Sequence, residues 1–219
     1  MMDEARERVG RSLFSEGSGI DLEALLEQAF EVVPDYVELP EGIMGKTHFH
    51  GDGRFDVFIS RKLSDAAEQD ATSRRRLRST MAHECAHIVM HGHLHMRDLA
   101  TKPMFPGLKT DDPKVLCREE LTDSFKQGGP GYDGQWWEYQ ANQGMACLLL
   151  PKQETIARVE REIQSRGFKS PKEVIRNRRM DDVVREIMRV FDVSMSVTTY
   201  RFQELGILPK EANQSKFEL

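Results

Sequence analysis

Between Ser73 and His91 the chain reads SRRRLRSTMAHECAHIVMH, and this stretch limits what the whole molecule can be. At about 3.6 residues per turn, Leu77, Met81, Ala82, Cys85, Ala86, Ile88 and Val89 cover most of a helix's circumference. His83, Glu84, His87 and His91 fill the remaining sector. A helix apolar nearly all round belongs in the middle of a fold, so its polar stripe should line a cavity rather than open solvent. His83 and His87 stand four apart, about 40° round the helix from each other, and present their rings on one face. Two imidazoles so placed suit one metal ion. Glu84 lies about 100° further round, near enough to act on a water without ligating the metal. HExxH is thus two ligands plus a general base, the arrangement of zinc peptidases.

At 219 residues the chain can bury a real core, in one domain or one domain with a small appendage. Its 39% hydrophobic and 31% charged content suits a globular protein. No apolar run approaches the roughly 20 residues needed to span a bilayer. The start, MMDEARERVGRSLFSEG, is polar and acidic and lacks an apolar signal core, so a cytoplasmic location is expected. The three cysteines, Cys85, Cys117 and Cys147, are odd in number and widely spaced. They read as free thiols, with Cys85 and Cys147 packed as small hydrophobes. A net charge of −5 argues against a broadly basic nucleic-acid surface.

Along the chain, 1–20 reads as loosely structured. Asp21 can cap a helix through about Val33, where Leu22, Leu25, Leu26 and Phe30 have helical spacing. Pro34 and Pro40 bracket a short extended piece, Asp35 to Leu39. Ile43 to Phe49 and Arg54 to Ser60 read as strands joined at Gly51-Asp52-Gly53, a small antiparallel sheet. The central helix follows, from about Ser73 to His91. Residues 92–134 contain KPMFPGLK and KQGGPGYDG and read as a long loop or insertion, with one short helix near Lys114–Phe125. A second strong helix runs from about Gln135 to Leu150 and stops at Pro151. Residues 152–208 are helical and charged, and 209–219 is a polar tail. The expected class is α+β, a mainly helical core (21–151) with a small antiparallel sheet and a helical C-terminal segment.

Catalytic zinc usually takes three protein ligands. Beyond His83 and His87, three residues are candidates for the third. Glu138 shares a helix face with Asn142, Met145 and Leu149, and Ala141, Gly144 and Ala146 would let that helix come close. Its simpler role is to complement a helix N-terminus. His93 occupies the third-histidine position of HExxHxxGxxH, but Met90 stands where the turning glycine belongs. His91 lies one turn past His87, and three ligands on one straight helix strain tetrahedral geometry. Glu138 is the favoured one.

Three segments together bear a resemblance: RRRLRSTMAHECAHIVMH, WWEYQANQGMACLLLP and FDVSMSVTTYRFQELGIL. In order and chemistry, over roughly residues 40–208, the chain resembles the ImmA/IrrE metallopeptidases. That family has a central HExxHxxxH helix, a later ExxAN helix running into leucines and proline, and a closing VS…R…LG segment. The matching residues here are His83, Glu84, His87 and His91; then Glu138, Ala141, Asn142 and Leu148-Leu149-Leu150-Pro151; then Val193-Ser194, Arg201 and Leu205-Gly206. The stretch between His87 and Glu138 is longer than the family pattern. The resemblance implies a zincin-like fold, one zinc ion on His83, His87 and Glu138, and Glu84 as the base. It also implies a protein substrate, often a helix-turn-helix transcriptional repressor of a mobile element or stress regulon. The same donor set admits Mn2+.

Tyr139, His91 and Tyr132 are candidates to stabilise the oxyanion of a peptidase reaction. Asn142 is a candidate to orient a ligand imidazole. His93, His95 and Cys117 lack the fourth ligand of a structural zinc site and read as polar surface. His48 and His50, alternating on a strand, read as solvent-facing. Met180–Val190, a break, and Met195–Leu205 have helix-turn-helix spacing, approached by Lys169, Lys172, Arg176, Arg178, Arg179, Arg185 and Arg189. The second helix of this pair carries few basic residues, so packing on the core or gripping a protein partner is the better expectation than DNA binding. Arg74, Arg75, Arg76 and Arg78 read as a solvated face, or as a groove for acidic substrate segments. The rival to an enzyme is a regulator of the same fold that binds a repressor or DNA without catalysis. It would have no use for Glu84.

Overall fold

The computed structural model describes residues 19–50, 52–95, 114–118 and 136–209. Its fold is α+β, mostly helical with one small sheet. Helix α1 (Leu22–Phe30) begins where the Asp21 carboxylate accepts the Ala24 N–H at 3.0 Å, and it ends at Glu31 in the left-handed conformation. Strands β1 (Asp35–Val37), β2 (Ile43–Phe49) and β3 (Phe55–Ser60) follow. β2 and β3 are antiparallel, with Thr47 opposite Val57 and His48 opposite Asp56.

The sheet departs from expectation at both edges. β1 runs parallel to β3, so the sheet is mixed rather than antiparallel. A three-residue strand in a five-residue stretch between two prolines carries no alternation from which its partner or direction is legible. On the other side β4 (Lys114–Arg118) pairs antiparallel with β2, giving the order β1-β3-β2-β4. A helix was expected from Lys114. Pairing with the open edge of β2 overrides that weak local preference. The remainder of 92–134, beyond His95 and outside β4, lies outside the described residues, as do 1–18 and the tail from 210.

Ser60 caps helix α2 (Arg61–Gln69), whose Leu63 N–H it receives. Helix α3 (Ala71–His95) is longer than the apolar pattern indicates. The Asp70 carboxylate accepts the N–H groups of Thr72 and Ser73 at 2.8 and 2.9 Å and so fixes its start. Helix α4 (Trp136–Leu149) packs along α3, and Gly144 permits the approach. A Cβ there would sit 2.7 Å from the Ala86 Cβ and 3.1 Å from the Met90 sulfur. Pro151 separates α4 from α5 (Lys152–Ser165), and α6 (Pro171–Arg176), α7 (Met180–Phe191) and α8 (Met195–Glu204) complete the chain.

One core serves both halves: Leu26, Ile59, Met145, Leu149, Ile187 and Phe202 are all fully buried within it. α8 turns Val197, Tyr200 and Phe202 inward, and its Arg201 donates to the Leu150 carbonyl at 3.0 Å. The α7–α8 pair is therefore packed on the core through the helix that a DNA reader would offer to a groove. Within the basic approach Arg179 pairs with Asp182 and Arg189 with Glu186, so acids interrupt it.

The arginine run is solvated in part, with Arg74 half-exposed, and it also ties α3 to Asp192. Arg74 reaches Asp192 through Nε and Nη2 at 2.7 and 3.1 Å, and Arg75 donates to the same carboxylate at 3.2 Å. Arg78 donates to the carbonyls of Asp192 and Ile20 at 3.1 and 3.0 Å. Three arginines thus clamp the α7–α8 corner, where Asp192 itself is left-handed. Among the described residues no helix is long and apolar enough to cross a membrane.

Candidate metal centre

Helix α3 carries His83, Glu84 and His87 into the interior, each with no exposed surface. Helix α4 brings Glu138, exposed by only 7%. His83 Nε2 lies 2.9 Å from His87 Nε2 and 3.0 Å from Glu138 Oε2, and His87 Nε2 lies 3.5 Å from Glu138 Oε1. Among the described residues these three form one of two groups able to hold a metal ion.

The surrounding hydrogen bonds explain why the Nε2 atoms converge. His83 Nδ1 lies 3.1 Å from the Asn142 side-chain oxygen, so Nδ1–H donates there and the Nε2 lone pair faces the centre. On His87 the chain is longer. His91 Nε2–H donates to the Gln140 oxygen at 3.1 Å. His91 Nδ1 is then an acceptor for His87 Nδ1–H at 3.0 Å, which again leaves the His87 Nε2 lone pair inward. This one proton order satisfies every contact in the chain.

Two imidazole nitrogens 2.9 Å apart are held by a proton or a metal ion between them. Burial pushes the His83 imidazole down, but its bond to Glu138 and the neighbouring carboxylates outweigh burial and raise it. Burial holds His87 down at about 4, a neutral ring. Burial pushes Glu138 up, and the two imidazoles override that and hold it at about 2. A tetrahedral zinc with bonds of about 2.0–2.1 Å keeps its donors roughly 3.3 Å apart. The observed 2.9, 3.0 and 3.5 Å straddle that figure, so the residues fit the ion.

Glu84 sits beside this set and is held from the sheet. Thr47 donates its hydroxyl to Glu84 Oε2 at 2.5 Å, while the buried Oε1 accepts from no side chain or backbone group. Burial pushes the Glu84 carboxyl up to about 7, against the opposing pull of His83 and Thr47. Gly45 provides the space. A Cβ there would lie 2.7 Å from Glu84 Oε1 and 2.7 Å from the Thr80 methyl.

The remaining candidates lie elsewhere. Both ring nitrogens of His91 are engaged, with His87 and Gln140, so it braces a ligand rather than facing the centre. The Tyr139 hydroxyl accepts from Gln143, which also donates to Glu204 on α8. His93 is exposed on the last turns of α3. Tyr132 and the side chains of His95 and Cys117 lie outside the described residues. Burial pushes the thiols of Cys85 and Cys147 up, so both stay protonated and unreactive near neutral pH.

His48 and His50 are not solvent-facing. Their side chains are only 18% and 26% exposed and both turn to Asp56. Thr47, Gly45 and Gln140 were not singled out from the sequence. The signal for Thr47 was its phase, a polar residue on the inward side of β2 between Gly45 and Phe49. No family model, curated protein or solved structure matches the chain.

Proposed function

We propose that this chain is a zinc-dependent endopeptidase acting on a protein, with His83, His87 and Glu138 as ligands and Glu84 as general base. One observation carries the reading: two imidazole nitrogens and a carboxylate from separate helices converge in a buried pocket beside an independently anchored glutamate. A pure binding module has no need of a carboxyl buried there at the cost of desolvation. The two-nitrogen, one-oxygen set suits zinc first and manganese second. When bound, the metal supplies Lewis acidity toward water and a peptide carbonyl.

The chain's own residues supply the proton traffic and the positioning. Glu84, with one oxygen held by Thr47, offers the other to a water proton and returns that proton to the departing amine. A carboxyl poised near neutrality suits both halves of this exchange. Asn142, and His91 backed by Gln140, keep the ligand rings fixed.

The resemblance to ImmA/IrrE peptidases narrows the substrate to a cytoplasmic helix-turn-helix transcriptional repressor. The test compares new protein N-termini in cells expressing the wild type and Glu84→Gln. New termini concentrated in one regulator, seen only with the wild type, support the proposal. Identical termini, with both proteins folded and zinc-loaded, would overturn it in favour of a binding role.

A further inference from the structure

We infer that His48, His50 and Asp56 form a second site for a first-row divalent metal ion, on the face of the sheet turned away from α3. Successive residues of a strand alternate between faces. Thr47 and Phe49 are fully buried, and Thr47 reaches Glu84 on the α3 side. His48 therefore lies on the opposite face of β2, and His50, one residue past the end of that strand, turns to the same Asp56. Asp56 is the cross-strand partner of His48, and directly opposed residues of an antiparallel pair hold their side chains together. Register brings His48 to Asp56, and the hairpin end adds His50.

The side chains confirm the convergence. Asp56 Oδ2 lies 2.6 Å from His50 Nε2 and 3.9 Å from His48 Nδ1, and the two rings are 4.6 Å apart between centroids. One ligand atom from each residue falls within 4.8 Å of the others. Backbone hydrogen bonds close the hairpin end. The His50 N–H donates to the Arg54 carbonyl at 2.9 Å, and the Gly53 N–H donates to the His50 carbonyl at 3.1 Å, with Gly53 in the left-handed region. Asp52, the other carboxylate here, is taken by Arg54, whose N–H and Nε contact it at 3.1 and 2.8 Å. Asp56 is left as the anionic member facing the two rings.

Two imidazoles and one carboxylate are a borderline donor set, which selects zinc, nickel or copper(II) over magnesium and calcium. The contacts at 2.6 and 3.9 Å lie either side of the roughly 3.3 Å donor spacing of a tetrahedral zinc site. Small swings of the imidazoles would equalise them, and water would complete the shell. This site shares no ligand with the centre between α3 and α4, so the two stand or fall separately.

The experiment is equilibrium dialysis of the full chain against buffered micromolar free Zn2+, with bound metal counted by mass spectrometry. Three variants accompany the wild type: His48→Ala/His50→Ala, Asp56→Asn, and His83→Ala/His87→Ala. Circular dichroism checks that each is folded, and Asp56→Asn is the conservative control for the double variant. The expected result is two ions in the wild type, one in His48→Ala/His50→Ala, weakened second-ion binding in Asp56→Asn, and one in His83→Ala/His87→Ala. A second ion that persists in both hairpin variants would overturn the inference, as would a single wild-type ion lost only with His83 and His87. A single ion lost only with His48 and His50 would uphold this site and overturn the other.

Discussion

The two halves of α3 use charge in opposite ways. In the first half Arg74, Arg75 and Arg78 point their donors at acceptors: the Asp192 carboxylate, its carbonyl and that of Ile20. Each of these three has an opposite partner, and the result is a joint between α3 and the α7–α8 corner. In the second half His83 and His87 turn acceptor nitrogens toward each other and toward a carboxylate. Acceptors face one another there, a set that a proton or a metal ion can hold together. The polarity of the first half is spent on a joint within the protein, whereas that of the second half converges on one point between two helices.

This contrast can be broken at several points. The largest effect is expected at Glu138→Ala, which removes a ligand. Zinc affinity should fall by more than the roughly 10–100-fold that losing a supporting partner costs, with peptidase activity lost alongside. Competition with a chromophoric chelator measures it, and unchanged affinity would remove Glu138 from the ligand set. Next is Glu84→Gln. It should keep the metal while cleavage of the identified substrate falls roughly 10²–10⁴-fold, the usual contribution of a general base. Zinc loss in this variant would contradict the base assignment.

His91→Phe sharpens the role of the bracing chain. It removes the acceptor of His87 Nδ1–H, so zinc affinity should drop roughly 10–100-fold, with activity recovering at saturating zinc. Activity lost at full zinc occupancy would instead make His91 a participant in the chemistry.

The smallest effect belongs to the first half of the helix. Asp192→Asn should cost about 1 kcal/mol of stability, typical of partly exposed ion pairs, and leave metal binding unchanged. Burial raises the Asp192 carboxyl, but Arg74, Arg75 and Arg78 outweigh it and hold it below its ordinary value. Its contribution is therefore present above the unfolded-state value of about 3.9 and is lost as pH falls through the lower folded value. Urea titrations of both proteins from neutral pH downward should converge once the pH falls below the folded-state value of Asp192. A difference undiminished in acid would assign the loss to packing.

Much of the centre was legible because it is helical. The 3.6 period placed His83 and His87 together, and the small residues of α4 indicated the approach that Gly144 makes against Ala86. The strands β2 and β3 followed from alternation, and Val57 and Ile59 are buried as it requires. What was not legible came from contacts far apart in sequence. Thr47 precedes Glu84 by 37 residues, and Arg74 reaches across 118 to Asp192. Alternation says that Thr47 faces inward but not what it meets. A run of arginines has the same appearance whether it meets water or a carboxylate. β1 and β4 are set by which sheet edge was open, and no local pattern encodes that. The pairing of His48 and His50 with Asp56 needed the register of the hairpin, which composition of the turn leaves undetermined.

The proposed function rests on one place, the point between α3 and α4 where three donors converge. Crystals of the zinc-loaded protein, with anomalous data on either side of the zinc edge, locate the ion. The expected result is a peak bonded to His83 Nε2, His87 Nε2 and a Glu138 oxygen, at about 2.0–2.2 Å from each. Fully loaded crystals with no zinc peak there, or with Glu138 turned away from one, would contradict it.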